Sequence, residues 1–347
     1  MTKAAPIQKA WATLLTQPTY LAGALVLHRT LQAVSKYPLV IMATDTLPAS
    51  SRDVLERSGL RIIDVEHISP ADGQHAGFDA SFNRFNDAWT KLAVFGLTEF
   101  ERVILIDSDM LFLRSMDELF DMELPGDDWI AAAPACVCNP FKIAHYPADW
   151  VPANCSISLQ STHESLDQPA IPAADGPRTA HLLNSGLVVL KPMTSTLDSL
   201  INFLHTSPTI AESKFADQDV IAEAFHGRWK PLPWWTNALK PLRAVHPTVW
   251  EDKEVRNIHY ILAKPWDKRP STIPSAANIP PSTSSAATEE LPQGLTKLVA
   301  NSPAQRSLTE YDEVNAWWWL AYVTLVGELK QLGDEVVWRE MDKWIGQ

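Results

Sequence analysis

The run Arg102-Val103-Ile104-Leu105-Ile106-Asp107-Ser108-Asp109 ends a block of aliphatic residues in two carboxylates separated by one serine. Carboxylates this close repel each other, so a hard divalent cation with oxygen ligands favours their ionised forms and could also hold a diphosphate. A solvated turn or a helix cap produces the same aspartate-any-aspartate pattern, and the segment alone leaves both readings open. Position adds to the first. A short apolar run reads as a strand covered on both faces, and the carboxyl end of such a strand is where open α/β sheets bind ligands.

The elements that must position this pair are legible from hydrophobic period. Ala10 to Leu15 reads as a first strand, Tyr20 to Val34 as a helix with one apolar face, and Leu39 to Ala43 as a second strand. Ser51 to Ser58 follows as a short helix and Gly59 to Val65 as a third strand. Strand alternating with helix predicts a parallel, wound sheet. Asn86 to Gly96 reads as a helix leading into the strand that ends at Asp107. Leu182 to Leu190 reads as a further strand, and Ser195 to His205 and Gln218 to Phe225 as helices. Cys136 to Arg178 is rich in Pro, Ser, His and Ala without a clear period, which predicts a long excursion across one face of the sheet.

Arg269 to Pro292 is Pro, Ser, Ala and Thr with almost no large apolar residues, the composition of a linker or disordered insertion. Helices are expected beyond it over Leu308 to Leu332 and Glu335 to Trp344. The expected layout is therefore a main domain over 1–268, a linker over 269–293 and a helical tail over 294–347. Trp317-Trp318-Trp319 in the tail invites sugar stacking. However, Leu308, Tyr311, Val314, Trp318, Tyr322 and Leu325 recur at helical spacing, which predicts a face that docks onto the main domain.

Composition bounds the function classes. The chain has 347 residues, 46% of them hydrophobic, and 14 tryptophans, enough for a substantial core. A formal net charge of -12 argues against bulk attraction to nucleic acid or an anionic membrane, while a metal and a few local cations would still hold an anionic nucleotide. Cys136, Cys138 and Cys155 form an odd set, and Cys-Val-Cys lacks the two-residue spacer usual for zinc; reduced thiols in a cytoplasmic chain are expected. Neither a signal peptide nor a transmembrane segment is readable, since Leu21 to Leu27 is interrupted by Gly23 and stopped by His28-Arg29.

Six separated segments converge on one family. Ala12-Thr13-Leu14-Leu15-Thr16 with Tyr20 to Leu27, Trp89-Thr90-Lys91-Leu92, Asp107-Ser108-Asp109, Asn184-Ser185-Gly186-Leu187-Val188-Val189, Asp217-Gln218, and His259 to Trp266 follow one another over about 250 residues. In this order they resemble the family 8 retaining glycosyltransferases, the group that contains glycogenin and galactinol synthase. The resemblance implies a mixed α/β sheet of the glycosyltransferase A type flanked by helices. It also implies a hexosyl transfer from a UDP-sugar, UDP-glucose or UDP-galactose, with manganese or a similar divalent cation.

The resemblance also implies roles. Asp109 and His259 would ligate the metal, with Asp107 reaching both metal and ribose. Ser108 lies between the two carboxylates in the nucleotide-sugar site, and Lys264 approaches the β-phosphate. Leu14, Thr16 and Tyr20 are candidate uracil contacts, against packing at the start of the first helix for Tyr20. Lys91 and Arg84, seven residues earlier, would donate to phosphate or sugar. Asn184, Ser185 and Gly186 would bind sugar hydroxyls, where the plain alternative is a turn before a strand. Asp217, beside Gln218, would be the nucleophile or the electrostatic stabiliser of an oxocarbenium-like transition state, against helix N-capping as its ordinary role.

Departures from the family pattern point to the acceptor. No glycine stands between His259 and Lys264, where the family carries one, and Lys214 occupies the place of a further aspartate found in glycogenins. Pro233 to Pro241 is the region where glycogenins offer tyrosines, and no tyrosine occurs here between Tyr146 and Tyr260. Ala131 to Pro140 is similar to galactinol synthases and their fungal relatives. A diffusible polyol, glycan or lipid-linked acceptor is therefore expected, with a self-glycosylating primer or an idle UDP binder as alternatives and a homodimer left open. Trp234 and Trp235 have two equal expectations, stacking on the acceptor and core packing.

Overall fold

A computed structural model describes residues 9–78, 86–144, 146–171, 175–282, 294, 295, 297, 299 and 312–346. Its strands and α-helices are β1 (Lys9–Leu15), α1 (Leu21–Gln32), β2 (Leu39–Ala43), α2 (Ala49–Arg57), β3 (Arg61–Asp64), β4 (Arg102–Ile106), β5 (Met110–Phe112), β6 (Ile130–Pro134), β7 (Leu183–Leu190), α3 (Thr194–Thr206), α4 (Ala216–Ala224), β8 (Trp229–Pro231), β9 (Ala238–Leu239), α5 (Leu242–Val245), β10 (Asn257–His259), α6 (Asp312–Gln331) and α7 (Glu335–Asp342). Most periodic segments fold as their period predicts; the segment expected as a helix over 86–96 forms a 3-10 helix over Ala88–Gly96, and 308–311 of the expected helix Leu308 to Leu332 lie outside the described residues. Two compact units form: Met1–Leu14 with Asp64–Ile106 and Glu118–Trp234, and Leu15–Ile63 with Asp107–Asp117 and Trp235–Gln347.

In the first unit the strands run in the order β1-β4-β7-β6-β8. β1 pairs parallel with β4, whereas β7 runs antiparallel to both β4 and β6, so the sheet is mixed and not wholly parallel. The reason is the route into β7: the chain arrives from the excursion over 135–182, among whose described residues there is no crossover helix, and an antiparallel strand requires none. Among the described residues that excursion contains only short 3-10 turns, at Pro152–Asn154, Ser156–Leu159 and Arg178–His181. Val103 to Ile106 of β4 are fully buried. α3, α4 and a 3-10 helix over Ala88–Gly96 pack together, and α4 lies against β7.

In the second unit β2 neighbours β3, and a separate three-stranded sheet has the order β5-β10-β9. α1, buried from Leu21 to Leu31, packs on β5, α6 and α7. Arg29 of α1 grips Glu328 of α6 with two nitrogens, at 2.6 and 2.7 Å. Trp317, Trp318 and Trp319 are all buried; Trp318 stacks on Tyr322 at 5.4 Å and meets Trp266 at 5.4 Å, so the run packs as its spacing predicts. Leu308 and Tyr311 lie outside the described residues. At the start of the expected linker, Ala276 and Ile279 are buried and Lys330 donates to the carbonyls of Ala277 and Ile279; 283–293 are outside the described residues. Among the described residues, no helix is long and apolar enough to cross a membrane.

Candidate functional site

The small sheet of the second unit assembles three of the predicted ligands. β5 follows directly on Asp109, and its antiparallel pairing with β10 sets His259 opposite Met110, while the Tyr260 amide donates to the Asp109 carbonyl at 2.9 Å. Ligand atoms of Asp107, Asp109 and His259 consequently lie within 4.8 Å of one another. His259 Nε2 is 3.2 Å from Asp109 Oδ1 and 3.5 Å from Asp107 Oδ2. Two carboxylates and an imidazole suit a divalent cation such as manganese.

Lys264 completes the cluster, its ammonium paired with Asp109 and donating to the Tyr260 carbonyl at 3.0 Å. Burial opposes ionisation of Asp109, yet the charges of Lys264 and His259 hold its carboxyl well below the ordinary range. Burial likewise opposes charge on His259, and Asp109 and Asp107 overcome it and raise its pKa. A cation entering this group therefore competes with the imidazole proton.

Close packing holds the Asp107-Ser108-Asp109 turn. A methyl group on Gly23 of α1 would fall 2.5 Å from a Trp266 ring carbon and 2.7 Å from the Ser108 carbonyl, so only glycine fits there. Tyr20 meets Trp266 edge-on at 5.6 Å, and the Lys264 ammonium sits 5.8 Å from the Tyr20 ring centroid. Thr16 accepts a hydrogen bond from Thr46 at its carbonyl. Between His259 and Lys264, Leu262 adopts a φ of 66°, in the left-handed region.

The first unit gathers other predicted residues. Lys91 Nζ lies 3.4 Å from Asp217 Oδ2, and Asn184 donates to Gln218 Oε1 at 2.9 Å while accepting from the Gly186 amide at 3.1 Å. Ser185 is buried on β7, and Leu14 is half-buried on β1. Asp217 is not the cap of α4: Phe215 holds the cap position, and Asp219 accepts from the Lys214 and Phe215 amides at 2.7 and 2.9 Å. The buried Asp217 carboxylate lies instead beside Lys91. Arg84 lies outside the described residues. Trp234 is fully buried and donates to the Ser161 carbonyl at 3.1 Å, and Trp235 carries Arg256 over its ring at 4.1 Å, so core packing describes both.

Two residues escaped the sequence reading. Asn237 Oδ1 lies 2.9 Å from His259 Nδ1, and Lys240 is fully buried with its ammonium on the Ala263 carbonyl at 2.5 Å. Burial, then the neighbouring Lys264 charge, bring the Lys240 pKa down to about 8. Both depend on the parallel pairing of β9 with β10, a contact across twenty residues that no local period announces.

The comparisons with known proteins agree with this arrangement. The family model described as glycosyl transferase family 8 matches residues 13–269. This chain belongs to glycosyl transferase family 8. It is 28% identical over 266 residues to galactinol synthase 4 of Arabidopsis thaliana, covering 76% of this chain and 75% of that protein. Its fold is similar to that of the galactosyltransferase LgtC solved in complex with donor and acceptor sugar analogs, with a TM-score of 0.52 at 16% identity over 82% of this chain and 95% of that one. The bifunctional glycosyltransferase WbbM gives a TM-score of 0.50 at 15% identity over 77% of this chain, which spans about half of WbbM, 48%. The fold is that of a glycosyltransferase of the A type.

Proposed function

We propose that this chain is a metal-dependent, retaining hexosyltransferase that moves a glucosyl or galactosyl group from a UDP-sugar to a diffusible acceptor, a small polyol before a glycan or lipid-linked one. The observation that carries the reading is the Asp107, Asp109 and His259 group with Lys264 upon it, in a chain of family 8. Asp109, His259 and Asp107 hold the cation, and Asp107 also reaches toward the ribose. When bound, a divalent cation supplies positive charge to the diphosphate leaving group. Lys264 adds a second positive charge at the β-phosphate, where Ser108 borders the site. Leu14, Thr16 and Tyr20 receive the uracil, and Lys91, Asn184, Ser185 and Gly186 bind sugar and phosphate, with Arg84 assigned to the same task. Asp217, beside Gln218, supplies negative charge at the anomeric carbon as that carbon gains positive charge.

The anomeric C–O bond breaks and UDP leaves with its electron pair. The acceptor hydroxyl then forms the new C–O bond on the same face and gives its proton to a phosphate oxygen of the departing UDP. A polyol acceptor is favoured by the likeness to galactinol synthase and by the absence of any tyrosine between Tyr146 and Tyr260. A cytoplasmic location fits three cysteines outside any disulfide. Intact mass after prolonged incubation with UDP-galactose or UDP-glucose and manganese tests the acceptor class. The expected result is an unchanged protein mass with UDP release stimulated by an added polyol. A ladder of hexose additions on the protein would instead make it a primer.

A further inference from the structure

Cys-Val-Cys lacks the spacer of a zinc motif, but the fold brings a third thiol to it. Cys136 and Cys138 leave the end of β6, and Cys155 stands between the 3-10 turns Pro152–Asn154 and Ser156–Leu159. The Sγ atoms of Cys136, Cys138 and Cys155 lie within 4.8 Å of one another, and none takes part in a disulfide. Tetrahedral zinc with sulfur at about 2.3 Å sets neighbouring sulfurs about 3.8 Å apart, so a small inward shift closes the cluster on an ion. Cys138 and Cys155 are buried and Cys136 is half-buried, as in a closed site.

Buried thiols are often small hydrophobes, scattered as packing requires. Here three converge on one point from the start and the middle of an irregular stretch. Between β6 and β7 the described residues form only short 3-10 turns, so the stretch lacks the ladder hydrogen bonds that hold the sheet. A cross-link at this point would tie its entry to its middle.

We propose that Cys136, Cys138 and Cys155 bind one zinc ion as thiolates, a structural site separate in chemistry from the Asp107, Asp109 and His259 group. Three S–H protons are released and three Zn–S bonds form, with the remaining coordination position filled by a non-thiol donor; no electron is exchanged. Soft sulfur ligands select zinc, while the carboxylate group favours a harder ion, so the two centres sort metals by ligand type.

Metal analysis and cobalt substitution of the full chain, purified under reducing conditions, test this. About one zinc per chain is expected to survive mild chelator dialysis and to be released by a mercurial that titrates thiols. Cobalt loaded in its place should give thiolate-to-cobalt charge-transfer absorption. That band should vanish in Cys136→Ser/Cys155→Ser and persist in Asp109→Asn, because oxygen and nitrogen donors give no such transition. The wild-type stoichiometry and spectrum suffice if the double variant fails to fold. The proposal is overturned by a wild-type chain without tightly held zinc or without the band, by a band unchanged in the double variant, or by a native mass lighter by the two hydrogens a disulfide loses.

Discussion

Asn237 and His259 meet through their side chains, Oδ1 to Nδ1 at 2.9 Å, and this contact selects which imidazole nitrogen faces the carboxylates. An amide oxygen only accepts, so Nδ1 carries a proton and Nε2 is the nitrogen aimed at Asp107 and Asp109, where an entering cation would take the place of its proton. The parallel β9–β10 ladder, with His259 in register with Leu239, fixes the pair.

Asn237→Ala should therefore weaken manganese binding about 10- to 100-fold, the usual cost of losing the partner that orients a ligating histidine. Asn237→Asp, which still accepts, should stay close to wild type. Manganese titration by calorimetry or electron paramagnetic resonance gives the comparison; equal affinity in wild type and Asn237→Ala would contradict the orienting role.

Gly23→Ala should cost about 1–3 kcal/mol of stability, because the added methyl meets the Trp266 ring and the Ser108 carbonyl and one of them must move. Ser108 lies between the two carboxylates, so manganese affinity should fall with stability. Urea unfolding and metal titration on one preparation check both. A stable variant with unchanged metal affinity would show that the turn does not depend on this contact.

Leu262 offers a contrast between two substitutions. A leucine at φ 66° carries strain that glycine avoids, so Leu262→Gly should change stability by less than about 1 kcal/mol, strain relief offsetting the extra freedom of the unfolded chain. Leu262→Val, β-branched, should lose about 1–2 kcal/mol. Thermal unfolding of the two variants orders them, and the reverse order would contradict the left-handed turn.

Lys240 predicts a pH dependence of stability. Its folded pKa of about 8 lies below the unfolded value near 10.4, so between these values the unfolded chain holds the proton more often and stability rises with pH. Below about pH 8 the full cost of a buried charge is present, on the order of 3 kcal/mol. Lys240→Met removes the dependence. The variant should be more stable at pH 7, with a difference that narrows toward pH 10. A stability difference flat from pH 7 to 10 would contradict the account.

What was legible in the sequence follows the range of the interactions. β1, α1, β2 and β4 were readable because burial imposes a local period, and the Asp107 and Asp109 pair because two neighbouring carboxylates repel, whereas His259 and Lys264 stood out only through the resemblance to family 8. The antiparallel course of β7 was not readable from alternation alone, since strand direction depends on how the chain travels between strands and not on the strand itself. β5, β9 and β10 are two or three residues long, too short for a period to register. Asn237 and Lys240 were missed for that reason: their roles exist only once β9 pairs with β10. Asp217 is the reverse case: its helix-capping alternative fails because Phe215 holds the cap position, and the Asp217 carboxylate lies beside Lys91 instead.

The central claim is that the carboxylate–histidine group makes sugar transfer metal-dependent. Its most direct test is UDP release from UDP-galactose and UDP-glucose, with and without a polyol, in wild type and Asp109→Asn across a manganese series. The account predicts wild-type release that requires manganese and is lost to chelator, and an Asp109→Asn protein that folds, with cooperative unfolding like wild type, but turns over at least about 100-fold more slowly at every manganese concentration. Equal rates in the two proteins, or wild-type turnover unaffected by chelator, would contradict it.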